Sequence, residues 1–280
     1  MWTLRRYLLR PDFFKKVAFR FKRYRRRAER NSFEDVAFAL EGVRTPTVVF
    51  DVGANIGLVT STLLRLFPSA RVHAFEPTPQ TAEVLRERLA HDARVVINEL
   101  AVSDRDGSTV FRVDNKTHGG GSNSLLHHSE HFATRARVDR YREVQVVTTT
   151  LDSYAEQHSV SHIDLLKLDI EGAELLALQG AKNLLATQAV DFVSTEIRFV
   201  ADYEGQPLLV DLIEHLAPLG YTLFNIYAPA ESTVRQALWG DALFMSDALR
   251  RQMHAVHGPS ACGWSEKPHG AGDRGAHQSN

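Results

Sequence analysis

The sequence contains one cysteine and no long hydrophobic run, and each scarcity argues against a class of protein. Because Cys262 stands alone among 280 residues, no disulfide can form within the chain, which favours a reducing compartment. No apolar stretch approaches the roughly 20 residues that cross a bilayer, and the first residues lack the apolar core of a signal peptide. We therefore expect a cytoplasmic protein that is long enough to bury one large core.

The charges that are present are unevenly distributed. Residues 1–30 hold 12 of the 33 lysines and arginines and only two acids, a net charge of +10, while the remainder carries −11. This basic amphipathic arm has three open interpretations: packing on the rest of the protein, peripheral contact with the anionic inner surface of a membrane, and, least favoured, contact with nucleic acid. Residues 251–280 are rich in glycine, serine and histidine, which predicts a disordered tail. A folded domain over 31–250 remains.

A buried strand followed by a glycine turn is the most informative local pattern. Residues 48–52 form an apolar run interrupted only by Asp51, and the run leads through Gly53, Asn55 and Gly57 into a helical pattern. Open α/β sheets bind their ligands at the carboxyl ends of strands, where Asp51 would lie. Glycine lets the backbone approach a ligand closely. The segment therefore predicts a nucleotide-type cofactor site.

The next strand indicates which cofactor binds. It ends in Glu76, 23 residues after Gly53, a spacing that suits hydrogen bonds from a carboxylate to a ribose hydroxyl pair and disfavours a 2′-phosphate. The turn departs from the dinucleotide pattern G-x-G-x-x-G, because Asn55 stands where a second glycine would meet a pyrophosphate. S-adenosylmethionine has no pyrophosphate, so we favour it over NAD.

Five segments together resemble the FkbM-type methyltransferases over about Val48 to Ile197. In chain order they are DVGANIG at 51–57, FEP at 75–77, AVSDRDG at 101–107, TLDSY at 150–154 and IDLLKLDIEGAE at 163–174. The resemblance implies an α/β, Rossmann-like class I methyltransferase fold, with a seven-stranded mostly parallel sheet, helices on both faces and an antiparallel last pair. It also implies S-adenosylmethionine as donor and O-methylation of a hydroxyl on a sugar, glycan or other natural product. A non-catalytic S-adenosylmethionine-binding module and an NAD-dependent oxidoreductase are the alternatives.

Alternating apolar patterns place further elements along the domain. Strands are expected at 94–102, 108–114, 144–150, 163–170, 190–197, 221–227 and 242–246, and helices at 80–90, 174–185 and 208–220. Ser103 and Asp104 follow the third strand, where they would either contact the adenine or simply form a turn.

The segment 163–174 supplies the candidates for residues that act on the acceptor. Lys167, Asp169 and Glu171 alternate with apolar residues, so an extended strand would point all three charges the same way. We expect Asp169 to position or deprotonate the acceptor hydroxyl. Glu171, and Glu196 at the end of the strand expected at 190–197, are further candidate bases. An internal ion-pair network is the alternative. Carboxylates of this kind can bind a divalent cation, but no spacing demands one, and no metal site is predicted.

The segment 117–128 is too rich in glycine to form regular structure. We expect it to act as a mobile cover over the acceptor, with a plain flexible loop as the alternative. His127 within it is the remaining candidate base.

Overall fold

The computed structural model describes residues 31–114, 123–126 and 141–258. The basic arm, His127 and residues 259–280 therefore lie outside the described residues. The helices are α1 (Ser32–Leu40), α2 (Leu58–Leu66), α3 (Pro79–Leu89), α4 (Leu151–Gln157), α5 (Glu174–Gln179), α6 (Lys182–Ala186), α7 (Leu209–Leu216) and α8 (Asp247–His257). The strands are β1 (Val48–Val52), β2 (Arg71–Phe75), β3 (Val95–Asn98), β4 (Ala101–Val102), β5 (Gly107–Asp114), β6 (Tyr141–Thr149), β7 (Ile163–Leu168), β8 (Val190–Arg198), β9 (Tyr221–Glu231) and β10 (Ala237–Ser246).

Seven strands form one sheet in the order β3-β2-β1-β7-β8-β10-β9. The pairs from β3 to β8 are all parallel, and β10 is antiparallel to both of its neighbours. The strand order reverses between β1 and β7, and open α/β sheets bind ligands beyond the carboxyl ends of the strands at such a point. The class I methyltransferase topology expected from the sequence is confirmed.

A hydrophobic core covers each face of the sheet. Successive side chains of a strand point to opposite faces, so Phe50 of β1 packs into one core while Val49 packs into the other. Helices α4 to α7 contribute to the first core and α1, α2, α3 and α8 to the second. All six residues of β7 are buried, because neighbouring strands and both helical layers surround it. In the part of the chain that the structure describes, no helix has the length and apolar character needed to cross a membrane.

Two expected elements are each divided in two. The apolar run 94–102 divides because β3 joins the large sheet while β4 pairs with β6 in a separate sheet of three strands, β4-β6-β5. The expected helix 174–185 is interrupted at Gly180, where an added Cβ would lie 2.1 Å from the carbonyl oxygen of Ser103. Close packing of the backbones at Gly180 and Ser103, rather than helix propensity, therefore explains why the helix is interrupted at Gly180.

Two expected boundaries are also wrong. The strand expected at 163–170 ends at Leu168. The chain turns there, because Glu171 and Gly172 adopt positive φ angles of 52° and 100° that an extended chain does not have. The expected tail cannot begin at residue 251, since α8 continues to His257 and buries Leu249 and Met253 in a core.

Candidate active site

The glycine turn after β1 is held against two neighbouring strands. The backbone N–H groups of Gly53 and Ala54 both donate to the carbonyl oxygen of Phe75 at the end of β2, at 3.1 and 2.9 Å. Gly53 has φ 78°, and an added Cβ would lie 1.9 Å from the carbonyl oxygen of Asp169. At Gly57, with φ 82°, the added atom would meet Leu85 at 2.6 Å. Both glycines therefore permit close packing within the protein.

Asp51 and Lys167 form a buried ion pair beneath this turn. The Lys167 ammonium lies 2.9 Å from Oδ1 of Asp51, and Oδ2 accepts a hydrogen bond from Thr60 at 2.6 Å. Lys167 also donates to the carbonyl oxygen of Gly53 at 3.0 Å. Burial alone would lower the pKa of Lys167, but the two aspartates on either side, Asp51 and Asp169, hold it above its usual value. Asp51 is fully buried, does not line the cavity at this turn and supports the turn from beneath, so its contact with the cofactor stays a prediction.

Glu76 presents a fixed carboxylate directly after β2. It is only 6% exposed, and its Oε1 accepts hydrogen bonds from Thr78, at 3.0 Å from the backbone N–H and also from the hydroxyl. Burial raises the pKa of Glu76, while these bonds and the backbone N–H of Asn55 oppose the shift. The turn and the acid thus come together as the sequence predicted.

A cavity of about 280 Å³ opens between the turn, Glu76 and the end of β7. Its walls combine apolar side chains with a few polar groups, as small-molecule sites do. The residues that line it include Gly53, Asn55, Ile56, Leu58, Phe75, Glu76, Leu100, Val102, Leu125, Asp169 and Glu171. The apolar walls suit an adenine ring and Glu76 suits a ribose, so these residues fit S-adenosylmethionine.

Ser103 and Asp104 do not line this cavity. The hydroxyl of Ser103 donates to Asp104 at 3.1 Å, and the Ser103 backbone pairs with Thr149 and packs closely on Gly180. Their geometry matches a turn, the second of the two interpretations offered by the sequence. The cavity instead takes its wall from the three preceding residues, 100–102.

Three carboxylates cluster beside the cavity, near the end of β7. One oxygen from each of Asp169, Glu171 and Glu196 lies within 4.8 Å of the others. Burial and the neighbouring Asp169 raise the pKa of Glu171 to about 7, and burial with repulsion from Glu171 raises that of Glu196 to about 9. Asp169 is 48% exposed at its side chain and lies 3.6 Å from the Lys167 ammonium. The three acids predicted from separate motifs therefore meet at one place.

The sequence interpretation missed the partners of these acids. Arg198 contacts Glu196 at 3.1 Å, Glu171 at 3.5 Å and Asp202 at 2.9 Å. The hydroxyl of Tyr203 donates to Glu171 at 2.9 Å. The one available signal is that Glu196 and Arg198 are two residues apart on a strand, and therefore share a face. Nothing local in the sequence indicates Tyr203.

Arg198 also bears on the question of a metal ion. Its guanidinium contacts two of the three clustered acids and so supplies positive charge at the place a cation would take. A second group of ligand-type side chains, His162, Asp164 and Asp191, lies at the amino ends of β7 and β8. Arg44 bridges the two aspartates there. An arginine therefore contacts the acids of both groups.

Part of the expected cover over the acceptor is described. Asn123 and Leu125 line the cavity, and the hydroxyl of Ser124 donates to the carbonyl oxygen of Glu171 at 2.7 Å. This short segment therefore joins the cavity wall. His127 is outside the described residues, so its proposed role as a base stays a prediction.

Comparison with known proteins assigns the family. The model of the methyltransferase FkbM domain matches residues 51–223. The 2-O-methyltransferase NoeI of Sinorhizobium fredii is 30% identical over 201 residues, which cover 62% of this chain and 81% of that protein. The hexuronic acid methyltransferase AglP of Haloferax volcanii is 29% identical over 187 residues, covering 64% and 67%. The solved magnesium protoporphyrin IX methyltransferase of Synechocystis PCC 6803 is 12% identical with a TM-score of 0.43, covering 76% and 77%. The chain belongs to the FkbM methyltransferase family and is an S-adenosylmethionine-dependent methyltransferase.

Proposed function

We propose that the protein transfers the methyl group of S-adenosylmethionine to a hydroxyl oxygen of a sugar, a glycan or another natural product. The observation that carries this proposal is the cavity that extends from Glu76 to Asp169 and Glu171, beside which Glu196 completes the acid cluster. One end suits an adenosine, and the other offers carboxylates to a hydroxyl. The names of two relatives, a 2-O-methyltransferase and a hexuronic acid methyltransferase, support an oxygen and a sugar as acceptor.

The residues of the chain would act mainly by placing the reactants. When bound, S-adenosylmethionine supplies a methyl carbon activated by its sulfonium. The turn after β1 and Glu76 would fix the adenosine, while apolar residues such as Ile56 and Leu58 exclude water. Asp169 would accept a hydrogen bond from a neighbouring hydroxyl of the acceptor and so help to hold the reacting oxygen in line with the methyl–sulfur bond. Such positioning can supply several kcal/mol of the reduction in barrier.

Turnover with a panel of acceptors tests the proposal. The full chain would be incubated with S-adenosylmethionine and neutral, acidic and amino sugars, glycans and hydroxylated natural products. The release of S-adenosylhomocysteine and the mass of the product would be measured. We expect release only with acceptors that carry a hydroxyl group. Binding without turnover on any acceptor would instead support the alternative of a non-catalytic S-adenosylmethionine-binding module.

The basic arm supports a further element of the proposal, a peripheral contact with an anionic membrane. Residues 1–30 combine a charge of +10 with interleaved aromatic and aliphatic residues. Basic segments gain about 1 kcal/mol per lysine or arginine near an anionic leaflet. Such a contact would bring the enzyme close to acceptors that are themselves attached to lipid.

A further inference from the structure

Glu171 is held through only one of its two carboxylate oxygens. The Tyr203 hydroxyl donates to Oε2 at 2.9 Å, and a guanidinium nitrogen of Arg198 lies 3.5 Å from the same atom. Among the described residues, none donates a hydrogen bond to Oε1. Since Glu171 lines the cavity, Oε1 is the oxygen that remains for a ligand there.

The other two acids of the cluster are engaged differently. The Arg198 guanidinium lies 3.1 Å from each oxygen of Glu196, which does not line the cavity. Asp169 lines the cavity, but its side chain is 48% exposed and one of its oxygens lies 3.6 Å from the Lys167 ammonium. Glu171 differs from both, because it lines the cavity, its side chain is only 19% exposed, and the Tyr203 hydroxyl fixes one oxygen while no described residue occupies the other.

The loop that carries Tyr203 is itself fixed. Gln206 accepts hydrogen bonds from the backbone N–H groups of Asp202 and Tyr203, at 2.7 and 3.1 Å. Asp202 pairs with Arg198 at 2.9 Å, and the Tyr203 side chain is buried. The donor hydroxyl therefore stands on a rigid support, and its contact with Glu171 does not depend on a bound ligand.

We propose that Glu171 is the group that deprotonates the acceptor hydroxyl, and that Tyr203 is the positioning residue that holds it for this step. The inference rests on the methyl transfer proposed above. As the acceptor oxygen forms its bond to the methyl carbon, the hydroxyl proton passes to Oε1 of Glu171. The electron pair of the breaking carbon–sulfur bond stays on sulfur, which leaves neutral S-adenosylhomocysteine.

The electrostatic surroundings of Glu171 agree with this role. The charged or titratable groups that face it are Asp169 at the end of β7, Glu174 on α5, Glu196 and Arg198 on β8, and Tyr203 on the loop that follows. Burial and Asp169 raise the pKa of Glu171 to about 7, while the Tyr203 hydrogen bond and Arg198 oppose the rise. A base works best when its pKa lies near the working pH.

Direct titration of the full chain tests the positioning role without any acceptor. The protein would be labelled with 13C at the glutamate carboxyl carbons and followed by NMR across pH, with Glu171→Gln identifying the resonance. We expect wild-type Glu171 to titrate near pH 7, and Tyr203→Phe to move the midpoint upward by roughly one pH unit, because a bond to the charged form is lost. Tyr221→Phe is the matched control. It removes a buried hydroxyl that donates to Val190, and should leave the midpoint unchanged.

The rate profile tests the catalytic role. With any acceptor that supports turnover, Tyr203→Phe should move the acidic limb of the kcat profile to higher pH without changing the Kd of S-adenosylmethionine. Glu171→Gln should lower kcat by roughly a hundredfold or more. An unmoved Glu171 midpoint in Tyr203→Phe, or normal turnover by Glu171→Gln, overturns the inference. A wild-type protein that binds no S-adenosylmethionine would refute the methyl transfer itself, which calorimetry shows separately.

Discussion

Replacing Glu76 by glutamine should weaken S-adenosylmethionine binding about 10- to 150-fold. The carboxylate is nearly buried, and Thr78 fixes one of its oxygens. The substituted side chain keeps an oxygen for Thr78, but its other terminal atom is an NH2 group that cannot accept a hydrogen bond from a ribose hydroxyl. A hydrogen bond to a charged group contributes about 1.5–3 kcal/mol, and 1.36 kcal/mol corresponds to a factor of ten.

Isothermal titration calorimetry with S-adenosylmethionine measures this loss. Glu83→Gln is the matched control, because Glu83 lies on α3 with its side chain 65% exposed and makes only a surface contact with Arg86. The control should bind like the wild type, and NAD should bind to neither protein. If folded Glu76→Gln binds S-adenosylmethionine within twofold of the wild type, Glu76 does not hold the ribose and our placement of the cofactor is wrong.

Three further expectations concern other parts of the molecule. Asp169→Asn should lower turnover roughly 10- to 100-fold, since a charged contact to the acceptor is lost, with little change in melting temperature; normal steady-state rates would exclude this role. Lys167→Met leaves the Asp51 charge buried and unpaired, and urea denaturation should show a loss of about 3–5 kcal/mol, part of which Asp51→Asn in the same chain should restore. Cosedimentation with anionic vesicles should decline with salt and vanish in a chain that starts at Asn31; equal binding by that shortened chain would rule out residues 1–30.

The parts of the site that lie close together in sequence were predictable. The turn after β1 and the acid after β2 occur within 26 residues. Because β1 and β2 are parallel neighbours, their carboxyl ends bring the turn and the acid together. Glu76 and Asn55 therefore line the cavity as expected. Glu174 also stands in the first turn of α5, where the helix dipole favours an acid, and accepts hydrogen bonds from the backbone N–H groups of Ile170 and Gly172.

The roles that depend on neighbouring strands were not predictable. Gly53 lines the cavity as expected, and its missing side chain also makes room for the backbone of Asp169, which follows β7, a strand far away in sequence but adjacent to β1 in the sheet. Gly53→Val would therefore disturb the fold. The sequence also placed Asp51 on the ligand side of the sheet. In the structure, Asp51 lies opposite Lys167 on the parallel strand β7, and the two side chains form a buried ion pair.

Glu171 reaches the acid cluster through a turn, whereas its sequence pattern predicted a strand. Alternation with Leu168 and Ile170 predicted a strand that would carry it beside Asp169. The strand instead ends at Leu168, and a turn with positive φ at Glu171 brings the carboxylate toward β8. Its partner Tyr203 comes from a loop more than 30 residues later, and no periodic pattern encodes that contact.

The acid cluster is costly to folding, and this cost is the strongest general argument that it serves a ligand. Carboxylates that are buried near one another disfavour ionisation, which is why Glu171, Glu196 and Asp241 all have raised pKa values, the last to about 6. Lys167 and Arg198 offset part of the repulsion but leave the acids in excess. Stability alone would favour apolar side chains at such positions. Groups with perturbed pKa values concentrate at functional sites, and the sulfonium of a bound donor would supply positive charge beside this cluster.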